Sequence, residues 1–571
     1  MKKKLYYVLT ILALFSMLLA SCAKEETPEV TEPPVVETEA PPAETEEPPA
    51  ATEEVVVTEE PPAATEAPAE PYLLWTPELR QAIAAAIDRE AIVDRVFEGR
   101  NLPAYHMVPP GYPYATEPFL DRYGTRDLQM AIDILTGLGY TAENPFVFEL
   151  WYPPEHYGTT TADVMQVIKE QLEETGLIVV NLQSQNWAEY VDSFVAGDLP
   201  VFMLGWFPDF ADPENWLTPF SSCTASPDNG VNYCNEEMDA LLLAAASAAD
   251  PAVREDLYRQ IGELYATEVP TLPLFWEPEF VTYRTGVQGV TIGAPFEFNY
   301  NIVSFGEGAA PASGSPDTLI IGTTDEVNSL DANDAYATHD WEILKNTGVA
   351  LMSYTPGTSD LVPGAAAAPP VISEDGLTYT FTLRDDLMFA DGTPVTSADY
   401  VRSWVRLNAL EGQVSGLLQS YIADVEAIDE LTVAYHLSNS FAFFPALAAT
   451  APFVPIPPSF PEDSINQFPE TLDGIGPYRM VSYIPGEQMV LEANPYYFGE
   501  APLVPNVIVR YYADPTTMSQ AVETGEIDVA WRVLGAVEAT RLMDVEGLTV
   551  ERINAPTLRY LVFNCSYMVT P

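Results

Sequence analysis

Positive charge is scarce in this chain of 571 residues. It has 24 lysines and arginines against 84 aspartates and glutamates, a formal net charge of −60. Phosphate backbones and anionic membrane surfaces are repelled at long range by such a field, which excludes nucleic acid as a partner. Histidine is scarcer still: His106, His156, His339 and His436 are scattered, and none makes a CxxC or HxxxH spacing, so zinc lacks partners and no metal site is expected. Cysteine occurs four times, as Cys22, Cys223, Cys234 and Cys565. The catalytic signatures are missing as well. There is no GxSxG elbow, P-loop or HExxH, and GIGPYR fails the dinucleotide pattern because Pro477 follows the second glycine where a helix should start. With 84 acidic residues, a chance pair of carboxylates carries no information about acid/base chemistry. The expectation is a protein that is not an enzyme and holds no cofactor.

What is present begins with Lys2, Lys3 and Lys4 ahead of the apolar run Leu5 to Leu19, then Ala20, Ser21 and Cys22. This reads as a secretory signal over 1–22, the run being shorter than the ~20 apolar residues of a membrane span. From Ala23 to Pro71 the chain repeats Glu, Thr, Pro, Ala and Val. Proline breaks helices and ladders and like charges repel, so 23–71 is expected to be an extended tether. Cys223 and Cys234 share the loop SSCTASPDNGVNYCN and, outside the cytoplasm, form a candidate disulfide. Cys565, beside the apolar run Leu561 to Phe563, reads as a small buried hydrophobe.

The remaining length exceeds one core and predicts two or three lobes. Leu79, Ile83, Ile87, Val93 and Val96 predict one amphipathic helix ending at Gly99; Leu128 to Leu138 and Val164 to Leu172 predict two more. Phe146, Phe148 and Leu150 alternate as in a strand, and Leu177 to Leu182 predicts another, an alternation that implies an α/β lobe. Asp250-Pro251 is a helix start. Pro270 to Phe280 is apolar, aromatic and proline-punctuated, and GEGAAPASGSP, residues 306–316, has linker composition. Beyond it, Leu319 to Gly322 and Tyr379, Phe381 and Leu383 predict strands, Thr396 or Ser397 a helix cap, and Asp514 to Thr524 a helix stopped by Gly525.

Two blocks, one running from SLDA through EDGLTYTFTLRDDLMFADGTPVTSADYV to LRYLVFN and the other from PELRQAIAAAIDREAIVDRVFEGRNLPA through GWFPDFADPENWL to VREDLYRQIGELYATEVPTLPLFW, together resemble the peptide/nickel group, family 5, of ABC-transporter solute-binding proteins, in reversed order. Residues 317–571 match the opening half of that family through SLDA, EDGLTYTFTLRDDLMFADGTPVTSADYV, GIGPYRMVSY, EANPYYFGEAPLVPNVIVRYYADPTTMSQAVETGEIDV and LRYLVFN. Residues 72–277 match the closing half through PELRQAIAAAIDREAIVDRVFEGRNLPA, GWFPDFADPENWL, YCNEEMDALLLAAA and VREDLYRQIGELYATEVPTLPLFW. The resemblance implies a circularly permuted, two-lobed clamp of the α/β type II class, peptide-binding subclass with an extra subdomain. Residues 278–305 would serve as hinge and return strand, the only covalent one, and 306–316 as the link between the family's usual ends. A fragment of a tandem array is the rival explanation.

The resemblance further implies a monomeric extracytoplasmic receptor that hands a small peptide or amine-bearing solute to an ABC permease. Cys22 would be diacylated in a lipobox, giving a lipid anchor. A sugar or metal chelate as ligand, or a surface sensor built on the same clamp, is the alternative. Asp209 stands where the aspartate of a GW-x-x-D segment meets a peptide's α-ammonium, although a turn before Asp212-Pro213 could equally use it as a backbone cap. Trp206 and Trp187 fall where aromatic residues line the pocket, with core packing the other reading. Tyr336 and Thr338 match a stretch facing the cleft from the opposite lobe. Phe194 and Met203 occupy positions that are basic in some peptide binders of the family, so a ligand carboxylate would be held elsewhere or be missing.

Overall fold

The computed structural model describes residues 72–569 apart from 155, 159, 294–296 and 533; the signal, Cys22 and the tether fall outside them. Among the described residues a mixed sheet of eleven strands runs through the molecule. Its middle is a pair of long antiparallel strands, Thr271–Arg284 and Leu548–Phe563. On one side follow Val201–Trp206, Phe146–Tyr152 and Ile178–Ser184; on the other Val529–Ala530, Thr318–Thr323, Asn506–Tyr511, Gln488–Ala493 and Tyr478–Ile484. A strand of 16 residues reaches roughly 50 Å, enough to serve two cores in turn. Leu558, Tyr560 and Phe563 are buried with Phe146, Phe148 and Trp75 in the first lobe, whereas Leu548 and Val550 pack with Ile320 and Met518 in the second.

This corrects two expectations. The last strand of the supposed lobe 317–571 belongs to the first lobe, because Leu558–Phe563 pairs in register with Val201–Trp206. Two strands therefore cross between lobes, not one hinge near 278–305, and their ladder shifts register between Ile553 and Thr557. Pro270 to Phe280 forms most of one crossing strand; it is buried on both faces, and such strands lose their alternation.

The predicted helix over 79–99 is two helices, Pro77–Ala86 and Arg89–Phe97. Asp88 interrupts it by accepting the Ala91 N–H, and Ile87 turns extended between them, so a cap overrides the continuous apolar period. Elsewhere local signals and structure agree. Asp250 caps Pro251–Glu268, Thr396 and Asp399 make a capping box on Ser397–Leu410, and Gly525 ends Pro515–Thr524 in the left-handed region. Cys223 and Cys234 are disulfide-bonded; Cys565 is partly buried against the first lobe's core.

The first and last described strands meet: Tyr72 pairs with Val569 and Leu73 with Met568. Trp75, 2% exposed, secures this corner against Phe563, Phe148 and Phe146 at 5.0, 5.1 and 5.5 Å. In the second lobe a four-stranded sheet, with Thr378–Thr382 and Thr432–Leu437 at its centre, packs near Ser397–Leu410. That helix carries Arg406, which grips Asp331 of the SLDA motif through two bonds of 2.8 and 2.6 Å. Both side chains are wholly buried. Asp331 also accepts the Asn466 and Asn333 N–H groups, so one carboxylate ties its own loop and the loop at Asn466 to the helix carrying Arg406.

Removing one half of such a buried pair leaves the other charged and unmatched. Arg406→Met is expected to cost about 3–5 kcal/mol in urea denaturation, and Arg406→Met with Asp331→Leu to recover part of that loss. A single-variant cost below about 1 kcal/mol would show that the pair does not hold the loops.

Candidate functional site

Strand Val201–Trp206 ends at the cleft, and the chain turns through Phe207 to Pro213 into the helix Glu214–Ser221. Asn215, in the first turn of that helix, organises the turn. Its Nδ2 donates to Asp209 Oδ2 at 2.9 Å, and its Oδ1 accepts the Asp209 N–H at 2.9 Å and Trp206 Nε1 at 3.4 Å. Backbone capping falls to Asp212, whose carboxylate accepts the Glu214 N–H and takes a two-bond ion pair from Arg254 at 2.8 Å. Asp209 is thereby released from local duty. Among the described residues its carboxylate bonds only with side chains, those of Asn215 and, across the cleft, Tyr336.

These groups open on a cavity of about 600 Å³ between the lobes, and all five expected ligand contacts, Asp209, Trp206, Trp187, Tyr336 and Thr338, line it. Each Trp also packs. Trp187 stacks on His156 at 3.6 Å, and Trp206 meets Phe220 edge-on at 5.0 Å, so lining and packing readings hold together. Thr338 opens the helix Thr338–Thr347, and its carbonyl accepts from Arg532 at 3.1 Å. Phe194 lies in the wall, stacked on Phe202, while Met203 is buried, its carbonyl accepting the Tyr190 hydroxyl. Neither position supplies a cation.

Sequence reasoning missed His156, Tyr157, Asp325, Glu342 and Lys345 in the lining. Glu342 accepts from Trp531 Nε1 at 2.8 Å and Arg532 Nε at 2.9 Å, and it also bonds the Tyr300 hydroxyl. Below Gly205 and Tyr157 lies Arg559, 4.3 Å from the Tyr157 ring and ion-paired to Glu277 at 2.5 Å. Gly205 permits that approach, since a Cβ there would stand 2.4 Å from Arg559 Nη1. No spacing announces the five lining residues, because they come from three separate stretches of chain, around 156, 325 and 342.

Burial raises the Asp209 carboxyl to about 6, against bonds from Asn215 and Tyr336 that favour its charge. Burial lowers the Lys345 ammonium to about 7, and burial with the charge of Arg559 lowers His156 to about 4, leaving its ring neutral at physiological pH. The site can hold a cation against a carboxylate between aromatic walls. Among the described residues no group of three or more His, Cys, Asp or Glu side chains could hold a metal ion.

The sequence model of the bacterial extracellular solute-binding proteins, family 5, middle region, matches residues 55–228 and 360–571. The chain belongs to this family. Di/tripeptide-binding protein 4 of Pseudomonas aeruginosa is 29% identical over 232 residues, 38% of this chain and 40% of that protein. The probable D,D-dipeptide-binding periplasmic protein DdpA of Escherichia coli is 32% identical over 39% of this chain and 44% of its own length. This family 5 chain thus matches less than half the length of each of these curated relatives. A solved periplasmic oligopeptide-binding protein from Borrelia burgdorferi superposes over 40% of this chain and 49% of its own, with 21% identity and a TM-score of 0.35, an overlap too small to carry an argument.

A carboxyl whose folded-state pKa lies above its unfolded value contributes stability below the unfolded pKa and loses it as pH rises through the folded one. Asp209 therefore opposes folding of the empty protein above about pH 6. Asp209→Asn is expected to stabilise the ligand-free protein at pH 7.5 by about 1 kcal/mol, after allowance for solvent at the cleft, and to lose that gain near pH 4. Thermal melts at both pH values check the sign; destabilisation at pH 7.5 would contradict it.

Proposed function

We propose that this protein is an extracytoplasmic receptor that captures di- or oligopeptides between its lobes and delivers them to an ABC importer, without chemistry of its own. The observation that carries this reading is Asp209, held by Asn215 and faced by Tyr336 in an aromatic cavity between two lobes. A carboxylate kept in that state is matched by a peptide α-ammonium, which would restore its charge through a charge-assisted bond. Relatives named for di- and tripeptides support the ligand class. Hinge bending at the two crossing strands would admit and release it. The reading includes a monomer anchored by diacylated Cys22 on the 23–71 tether, and ligand contacts at Trp206, Trp187, Tyr336 and Thr338.

The reading also includes a circular permutation of the family order. It is supported by the pairing of Tyr72 with Val569, which brings the end of the block matching the family's opening half beside the start of the block matching its closing half, and by the family match falling in two segments.

Calorimetry tests the amine anchor. A short peptide with a free amine is expected to bind, its N-acetylated form to lose about 100-fold or more, and Asp209→Asn to lose a similar factor. Equal binding of free and acetylated peptides would end this reading.

The permutation is tested by a chain that joins Pro571 to Tyr72 and opens new ends within 306–316. It is expected to fold and bind with affinity within about threefold of the parent, since exposed links tolerate new termini. Failure to fold would argue against it.

A further inference from the structure

Among the described residues, carboxylates outnumber cations at the cavity. Asp209 comes from the first lobe and Asp325 from the loop after Thr318–Thr323 in the second, and both line the cavity together with Glu342. Glu342 is matched by Arg532 at 2.8 Å, and Glu277 by Arg559 at 2.5 Å. Asp325 reaches Arg532 only at 3.9 Å, after that guanidinium has already met Glu342. Among the described residues Asp209 makes no ion pair, and Lys345 is the single ammonium in the lining.

We infer that the ligand carries two positive charges, its free amine on Asp209 and a second, as on a lysine or arginine side chain, on Asp325. The inference rests on the peptide-binding reading above and names the substrate class within it. One charged group on each lobe would let a basic peptide bridge the cleft, so that the same contacts select the ligand and favour closure. A neutral peptide would leave the Asp325 carboxylate short of a partner, and an acidic one would meet it with like charge.

The groups facing Asp325 are Arg532, Glu342 and Glu326, and those facing the nearby Glu279 are Arg532, Glu277, Arg559 and Asp325. Burial raises Asp325, and raises Glu279 to about 7, despite the Arg532 charge beside both. Carboxylates in that condition gain most from an added cation.

Calorimetry at pH 7.5 with Lys-Ala-Ala, Ala-Lys-Ala and Ala-Ala-Lys, each beside its norleucine and glutamate counterpart, tests the inference on the unmodified protein. At least one lysine peptide is expected to bind about tenfold or more tighter than its norleucine twin, with the glutamate peptide weakest. Asp325→Asn is expected to abolish that advantage, so that each lysine peptide binds no more tightly than its norleucine twin, melting temperature confirming that the variant folds. Amine-dependent binding with no lysine preference overturns this inference and leaves peptide capture standing, as does a lysine preference that survives Asp325→Asn. Absence of binding by every peptide overturns both.

Discussion

Everything in the cleft depends on one antiparallel ladder, that between Thr271–Arg284 and Leu548–Phe563. The two strands enter one core and leave by the other, so the cavity opens where they cross. On its other edge Leu558–Phe563 pairs with Val201–Trp206, placing Arg559 opposite Gly205 and Leu558 opposite Trp206, at the end of the strand that leads into the turn carrying Asp209. The shift between Ile553 and Thr557 interrupts the ladder near the crossing, where bending is least opposed by hydrogen bonds. Gly205 follows from the same geometry, since the guanidinium beneath it leaves no room for a side chain.

The second constraint is electrostatic. A chain of net charge −60 has few cations to spend, and it places them where an unmatched carboxylate would cost most: Arg406 on Asp331, Arg254 on Asp212, Arg532 on Glu342 and Arg559 on Glu277. Asp209 receives none, only neutral donors from Asn215 and Tyr336. That omission separates the carboxylates matched by arginine from the one that faces the cavity with neutral donors. Asp209 and Asp212 lie three residues apart in one turn, and their partners alone distinguish them.

Much of the architecture was legible in local signals. Asp250-Pro251, Thr396 with Asp399, and Asp514 with Gly525 set helix ends through caps that act over three or four residues, and they stand where the sequence places them. Asp88 misled the reading of the first helix because the apolar period ran through a residue that caps a second one. The crossing strands were hidden for a different reason: strands buried on both faces carry no alternation, and Pro270 to Phe280 offers none.

By itself the sequence determined the family and the α/β composition and offered Asp209, Trp206, Trp187, Tyr336 and Thr338 as expected ligand contacts, because motifs in order and caps at helix starts are written in contiguous residues. Tertiary structure alone decided that these five share one cavity, that Asn215 holds Asp209 while Asp212 does the capping, and that Arg532 meets Glu342 at 2.8 Å but Asp325 only at 3.9 Å. The physical reason is range. A cap or a period acts over a few residues, but the charge state of a carboxylate depends on burial and on partners up to 190 residues away, as Arg532 is from Glu342.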